Sequence, residues 1–455
     1  MGEEDVSVIH ARRLSHSDFA IATELLAAVR SLSYPLRRPT DLDPLLKRIG
    51  DARYVLLGEA SHGTHEYYWW RDALSRRLIE EKGFSFIAVE GDWPDCYRVN
   101  RYIKAYPDSG NSARDVLHAF TRWPTWMWAN EEVVELAQWL RRHNDGCPEG
   151  QKAGFYGLDV YSLWDSLYQV MGYLRKNAPE GLPAARRAFQ CFEPYGEDVQ
   201  DYARATRWVD ASCEDEVIAL LRDVRRSAPM DLRDGREAHF NAEQNALVVN
   251  NAEHYYRTMV QGGPASWNIR DRHMVETLEQ LMRHHGPKAK AIVWEHNTHI
   301  GDARYTDMAE DGMVNVGQLV REGHAGEGVV LIGFGSYRGS VIAGSEWEAP
   351  MQQMGVPPAQ PDSWEDVLHR AGAANRLLLL NCLRNQENFL AKRGHRAIGV
   401  VYHPEYERFG NYVPTVLPWR YDAFLFVDET EALRPLHEVH PHEEQEVPET
   451  YPSGV

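Results

Sequence analysis

The sequence predicts an α/β protein: a mainly parallel sheet core flanked by helices, with a large helical subdomain and a small α+β portion. Three observations lead there. Short apolar runs recur and lead into polar groups: Tyr54–Leu57, which stops at Gly58 before Glu59 and His62, Phe84–Glu90, which ends in a carboxylate, and Lys288–His296, which ends in Glu295 and His296. Helical periodicity separates the early runs, the alternation expected of parallel strands buried on both faces. From about 163 to 285 the pattern is almost wholly helical and polar, as in REAHFNAEQNALVVNNAEHYYRTMV.

Taken in order, residues 17–32 and the stretch DLDPLLKRIG predict two N-terminal helices, the second closed by Gly50. A strand over Tyr54–Leu57 then meets the glycine-bearing turn GEASHG, followed by a helix ending at Gly83. A second strand, Phe84–Glu90, leads through GDWP into a helix reaching Asn100, and residues 114–143 hold two more helices around RWPTWMW. Lys152–Val160 is a third strand, with Asp159 near its end; Lys288–His296, Gly328–Phe334, Arg376–Leu380 and Ala397–Tyr402 follow as later strands. The organisation expected is therefore 1–160 as the first part of the core with its N-terminal helices, 161–286 as the helical subdomain, and 287–337 as the second part of the core. Residues 338–375 form a small α+β excursion, 376–430 end the core, and 431–455 are an acidic disordered tail.

The 455 residues suffice for a substantial core, and 43% hydrophobic with 25% charged residues is ordinary for a globular chain. A formal net charge of −18 argues against nucleic acid or an anionic membrane as the partner. The aromatic clusters Tyr67–Trp70, Trp123–Trp128 and Phe155–Tyr161 read as core packing first and as a cleft lining second. Five scattered cysteines without CxxC spacing fit unpaired thiols in a reducing cytoplasm. The start MGEEDVSVIHARRL has no apolar signal region, and no run is long enough to span a membrane, so a cytoplasmic location is expected.

In an open α/β sheet, ligands bind outside the carboxyl ends of the strands. Those ends carry Glu59 with His62, Glu90, and Glu295 with His296 and His299, while Arg71 follows the first turn. Such groups are costly to bury unless they pair, so their gathering at neighbouring strand ends points to a site. Two chemistries fit them. A histidine held by a carboxylate can draw a proton from water, with Arg71 pairing a carboxylate or an oxyanion. Alternatively the histidines and glutamates hold a divalent metal, His62/His65 and His296/His299 each being three apart; no HExxH accompanies them. A Ser61 nucleophile fits less well, because GEASHG departs from the GxSxG elbow. No phosphate-binding glycine motif is present.

GEASHGTHEYYWWRDAL, FIAVEGDWPD and WEHNTHI together resemble the erythromycin esterase family, in the family's order, and the resemblance runs from about residue 20 to about 430. It implies an α/β core with a large helical subdomain and hydrolysis of a carboxylic ester or lactone, macrolide macrolactones among them, as in antibiotic resistance. It also implies water activated directly by a histidine, with neither metal nor cofactor. Carried over by motif position, His62 is the base, accompanied by Glu59; Arg71, Glu90, His296 and His299 complete the catalytic set. The expected partner is a small-molecule ester or lactone. The readings set against this one are a metal-dependent hydrolase of peptide or amide bonds and a non-catalytic small-molecule binding relative.

Overall fold

The computed structural model describes residues 16–196, 199–206, 212–227 and 234–439. Eleven strands are formed among them: β1 (Ser33–Pro35), β2 (Tyr54–Leu57), β3 (Phe86–Asp92), β4 (Gly154–Asp159), β5 (Ala291–Trp294), β6 (Val329–Ala343), β7 (Gln352–Val356), β8 (Arg376–Leu379), β9 (Arg393–Arg396), β10 (Tyr412–Thr415) and β11 (Ala423–Thr430). The main sheet runs β1-β8-β11-β6-β2-β5-β3-β4, with β7 added to the far end of β6; β9 and β10 pair separately. From β11 to β4 every neighbour is parallel. The β8 and β1 edge and the β7 extension are antiparallel.

The parallel block explains the uninterrupted apolar runs. Every residue of Tyr54–Leu57 and Ala291–Trp294 is buried, because helices cover both faces. Val55, Leu57, Ile292 and Trp294 face one way, into a core shared with Leu74, Leu78 and Val133 of helices His65–Lys82 and Glu131–Asp145. Leu56, Ala291 and Val293 face the other, against Met274, Leu278 and Leu281 of helix Ala265–His285. Helices Leu163–Asn177, Leu182–Phe192, Glu214–Arg226 and Asp234–Met259 build a further core of their own around Leu167, Val170, Leu220 and Val249. They follow β4 and return through helix Ala265–His285 to β5, and so lead the chain back to the central strands.

Three readings change. Ala397–Tyr402 is not a strand of the sheet: its backbone is shared out, Ile398 donating to the Ala60 carbonyl at 2.8 Å and Tyr402 to that of Gly344 at 3.0 Å. Ile398 and Tyr402 of this segment are buried, but there is no continuous edge for it to join. The tail begins later than residue 431. Leu433 is buried and its amide donates to the Gly63 carbonyl at 3.0 Å, while Arg434 pairs with Glu132. The remaining tail, with His440 and His442, and the amino-terminal stretch read for a signal lie outside the described residues. Third, Cys191 and Cys213 are bonded, which corrects the expectation of unpaired thiols; they lie 22 residues apart, a spacing that carries no motif. Among the described residues no helix is long and apolar enough to cross a membrane.

The turn after β2 is held by close backbone approaches. Gly63 accepts from the Ile342 and Leu433 amides, both at 3.0 Å, and a Cβ placed on it would lie 1.9 Å from the Ile342 carbonyl oxygen. Neither backbone can yield without breaking that pairing, so Gly63→Ala is expected to destabilise the protein by about 1–3 kcal/mol, the ordinary cost of overpacking. Urea unfolding checks this; an unchanged midpoint would show that the turn has room to move.

Candidate active site

Four parallel strands deliver the site at their carboxyl ends. Gly58, just past β2, has no side chain because the Asn297 amide fills that space: an added Cβ would sit 2.1 Å from Asn297 Oδ1. The next residue, Glu59, is buried and divides its carboxylate between two partners. Oε1 accepts from His62 Nδ1 at 2.9 Å, and Oε2 accepts from Arg71 Nη2 at 2.6 Å. Arg71 is fully buried on the sheet-facing side of helix His65–Lys82, its guanidinium lying over the rings of Tyr68 (4.2 Å) and Trp294 (4.7 Å). These faces supply the favourable environment that hydrogen bonds do not, since Nε and Nη1 have no hydrogen-bond partner among the described residues. The Ser61 hydroxyl is bonded to that of Thr64, an internal link of the turn.

With Nδ1–H given to Glu59, the lone pair of His62 lies on Nε2. His296 faces it, the two ring centroids 4.9 Å apart. The His296 amide donates to Glu90 Oε2 at 2.8 Å, which ties the end of β5 to that of β3. Its Nδ1 is taken by Thr298, accepting from the amide at 3.3 Å and lying 2.8 Å from the hydroxyl. Nε2 therefore carries the proton, and it is buried without a partner among the described residues.

Helix Ala265–His285 brings a second cation down onto the strand ends. Arg270 donates to Asp159 through Nε (2.9 Å) and Nη2 (2.7 Å), to Glu90 Oε1 through Nη2 (2.7 Å), and to His299 Nε2 through Nη1 (3.1 Å). His299 is stacked on Trp267, with ring centroids 4.5 Å apart, and its Nδ1 faces both oxygens of the Asp271 carboxylate at 3.0 and 3.1 Å. Tyr161 lies across the Arg270 guanidinium at 4.8 Å.

Burial and charge push the two facing histidines apart. For His62, burial works to lower the pKa, but the charge of Glu90 and the bond and charge of Glu59 outweigh it, and the pKa is raised from its ordinary 6.5. For His296, burial is joined by the charge of His62, and the pKa falls well below 6.5. Burial also pushes Glu90 up, yet its neighbours His299, Arg270 and His62 hold its carboxyl well below the usual range. Glu295 is raised well above that range by burial and by the charges of Glu90 and Asp271.

The structure brings Glu59, His62, Arg71, Glu90, His296 and His299 into one connected cluster. It sends His65, considered above as a metal partner of His62, away to Glu132 at 2.7 Å. Glu295 is fully buried, and its carboxyl oxygens have no hydrogen-bond partner among the described residues. Most of the aromatic clusters are core, including Tyr67, Tyr68, Trp126 and Tyr156. Sequence reasoning missed Arg270, Asp271 and Trp267. Their spacing of three and four on one helix was the available signal, since it places an aromatic, a cation and an acid on one face. Asp159 was noticed as a strand-end carboxylate but not as a member of the site. Among the described residues no three His, Cys, Asp or Glu side chains are arranged to hold a metal ion; Arg270 occupies the middle of the Glu90–Asp159–His299 group. An open depression of about 460 Å³ lies at the opposite end of β2, lined by Arg53, Tyr54, Glu279, Arg283 and His324. Its Arg53, Arg283 and His324 are paired with Glu327 and Glu279, so it offers no free charged group.

The sequence model of the family described as erythromycin esterase matches residues 79–430, taking in Glu90, Asp159, Arg270, His296 and His299 and starting after Arg71. An Escherichia coli protein named erythromycin esterase type II is 24% identical over 332 residues, covering 69% of this chain and 75% of its own. The solved structure of a succinoglycan biosynthesis protein superposes with a TM-score of 0.72 at 22% identity, over 91% of this chain and 99% of its own. An erythromycin esterase mutant solved in an open conformation gives 0.65 at 16% identity, over 88% and 97%. At these identities the two structures speak for the fold.

The opposite pKa directions are directly measurable. In an NMR pH titration the His62 imidazole is expected to titrate above 6.5, while His296 stays neutral to well below 6.5. Glu59→Gln removes a charge that favours the protonated ring and should lower the His62 midpoint. A His62 midpoint at or below 6.5 in the unaltered protein would refute the arrangement.

Proposed function

The chain belongs to the erythromycin esterase family, and from that premise we propose that it hydrolyses a carboxylic ester or lactone with water activated by His62, without a metal. The observation that carries the reading is the pair of facing histidines. His62 has a lone pair on Nε2 and a carboxylate fixing its tautomer. His296, across 4.9 Å, presents an unpartnered N–H.

In this reaction His62 Nε2 takes a proton from water as the water oxygen bonds to the acyl carbon. Glu59 keeps Nδ1–H in place and stabilises the imidazolium as it forms, while Arg71 prevents that carboxylate from turning away. The carbonyl oxygen becomes an oxyanion. His296 Nε2–H is the buried donor free to meet it, and a neutral imidazole can donate there without first losing a proton. Collapse of the tetrahedral intermediate breaks the acyl carbon–oxygen bond, and His62 returns its proton to the departing alkoxide. Arg270 holds Glu90 and His299 in register and lends positive potential to the same space. A substrate ester is uncharged and its transition state anionic, so these donors gain most where charge develops. The relative named erythromycin esterase type II makes macrolactones the first substrates to try, alongside simple aryl esters and smaller lactones.

The test uses an aryl ester before and after exhaustive chelation, with mass spectrometry of macrolides and lactones for gain of one water. Activity is expected to survive chelation, to fall by about 10²- to 10⁴-fold in His62→Asn, and to rise with pH through the raised His62 pKa, because the base must be neutral. Undiminished turnover in His62→Asn, or activity that is lost on chelation and returns with added metal, would overturn the reading.

A further inference from the structure

Between His296 and His299 stands a residue with no acid–base chemistry of its own. Asn297 is fully buried, and it joins three parts of the fold. Its amide N–H donates to the Glu59 carbonyl at 2.9 Å. Its side chain lies against β6, Nδ2 donating to the Phe334 carbonyl at 2.7 Å and Oδ1 accepting from the Phe334 amide at 3.2 Å. Its own carbonyl accepts from Arg420 at 2.9 Å. Since Gly58 makes room for this amide, Asn297 sets the separation of the turn carrying Glu59 and His62 from the turn carrying His296 and His299.

A second histidine–carboxylate pair stands behind it. His395 of β9 is buried, with Nδ1 2.5 Å from Glu365 Oε1 and Nε2 3.2 Å from Asn297 Nδ2. Glu365, likewise buried, also accepts from the Arg396 amide at 3.1 Å. Burial depresses the His395 pKa against the pull of the Glu365 charge, so the ring is neutral at ordinary pH. Nδ1–H then goes to the carboxylate, and Nε2 is left as an acceptor for the Asn297 amide. Only one orientation of that amide satisfies both His395 and Phe334. Three apolar side chains would fill the same volume without the cost of burying a carboxylate; the polar set is distinguished by fixing an orientation.

We infer that Glu365 and His395 are positioning residues for the active site, acting through Asn297 to hold the Glu59–His62 turn and the His296–His299 turn in catalytic register. The inference rests on the reading of His62 as the base, and its test keeps the two apart. The portion of the chain that follows β6 thereby acquires a part in the chemistry although, among the described residues, none of its side chains is placed with the reacting groups.

The experiment compares His395→Gln, whose distal carbonyl oxygen replaces the Nε2 acceptor, with His395→Asn, which keeps only a donor towards Glu365. His395→Asn should lower kcat on an aryl ester by about tenfold or more with KM little changed, and His395→Gln should restore most of it. Combining His395→Asn with Asn297→Ala should cost little beyond Asn297→Ala alone, because residues that act through one another are not additive. The His62 NMR midpoint should move in His395→Asn and return in His395→Gln, a readout independent of turnover. Failure of the esterase reading would show as wild-type protein without hydrolysis but with this NMR pattern intact. The inference itself is overturned by equal kcat and equal His62 midpoints in the two variants, whatever their melting temperatures, or by losses that multiply in the double variant.

Discussion

The carboxylate of Glu59 is the constraint on which the site depends. One oxygen is committed to Arg71 and the other to His62, in a space from which water is excluded. Neither ion could be buried alone at tolerable cost. Removing Arg71 would leave Glu59 to pair with His62 only, and removing Glu59 would strand a guanidinium held by aromatic faces. The pair therefore fixes more than charge. It requires helix His65–Lys82 to run back along the sheet at the height that brings Arg71 over Trp294, and it requires β5 to lie beside β2 so that Trp294 is there. The residues following Trp294 are Glu295 and His296. The element that supports the arginine thus also delivers the second histidine.

The second half of the site depends on a cation from elsewhere. Glu59, Glu90, Asp159 and Asp271 bring more negative charge than Arg71 and Arg270 can balance, and part of the surplus is felt by His62 as a raised pKa. Asp271 is itself pushed up by burial, partly offset by His299, which reduces the charge the cluster must hold. Arg270 does what a loop residue could not. Anchored on a long helix packed against the sheet, it reaches Glu90, Asp159 and His299 at once, and Tyr161 closes over it. The cover and the strands are joined there by a buried ionic contact rather than by apolar surface alone.

What could be read in the sequence was what is local. Glu59, His62 and Arg71 fall within thirteen residues, inside a strand–turn–helix whose periodicity is plain, and Glu90 and His296 each end an apolar run. The parallel core was legible for the same reason. Arg270 was not: its partners Asp159 and Glu90 are 111 and 180 residues away, and on an amphipathic helix rich in charged residues an arginine looks like any solvated charge. The Cys191–Cys213 bond was hidden likewise, because the packing of the helices that bring the two together has no signature in spacing. The run 397–402 shows the opposite error. Ile398 and Tyr402 are buried in it, but burial does not say which backbone will take the hydrogen bonds, and here Ala60 and Gly344 do.

A hydrolase that uses water directly needs one group ready to accept a proton and another ready to donate a hydrogen bond, within reach of the same few atoms. Two equivalent histidines could not serve, since whatever protonated one would favour protonating the other. The structure breaks the equivalence with backbone and charge. His62 stands on a turn whose glutamate draws its ring towards the charged form, whereas His296 caps the short helix Asn297–Ile300, so that the Thr298 amide occupies its Nδ1 and disfavours a proton there. A charged His62 also lowers the pKa of His296 further. Under the proposed mechanism, division of labour between a base and a neutral donor then follows from environment alone, the pattern by which paired titratable groups come to hold separate roles.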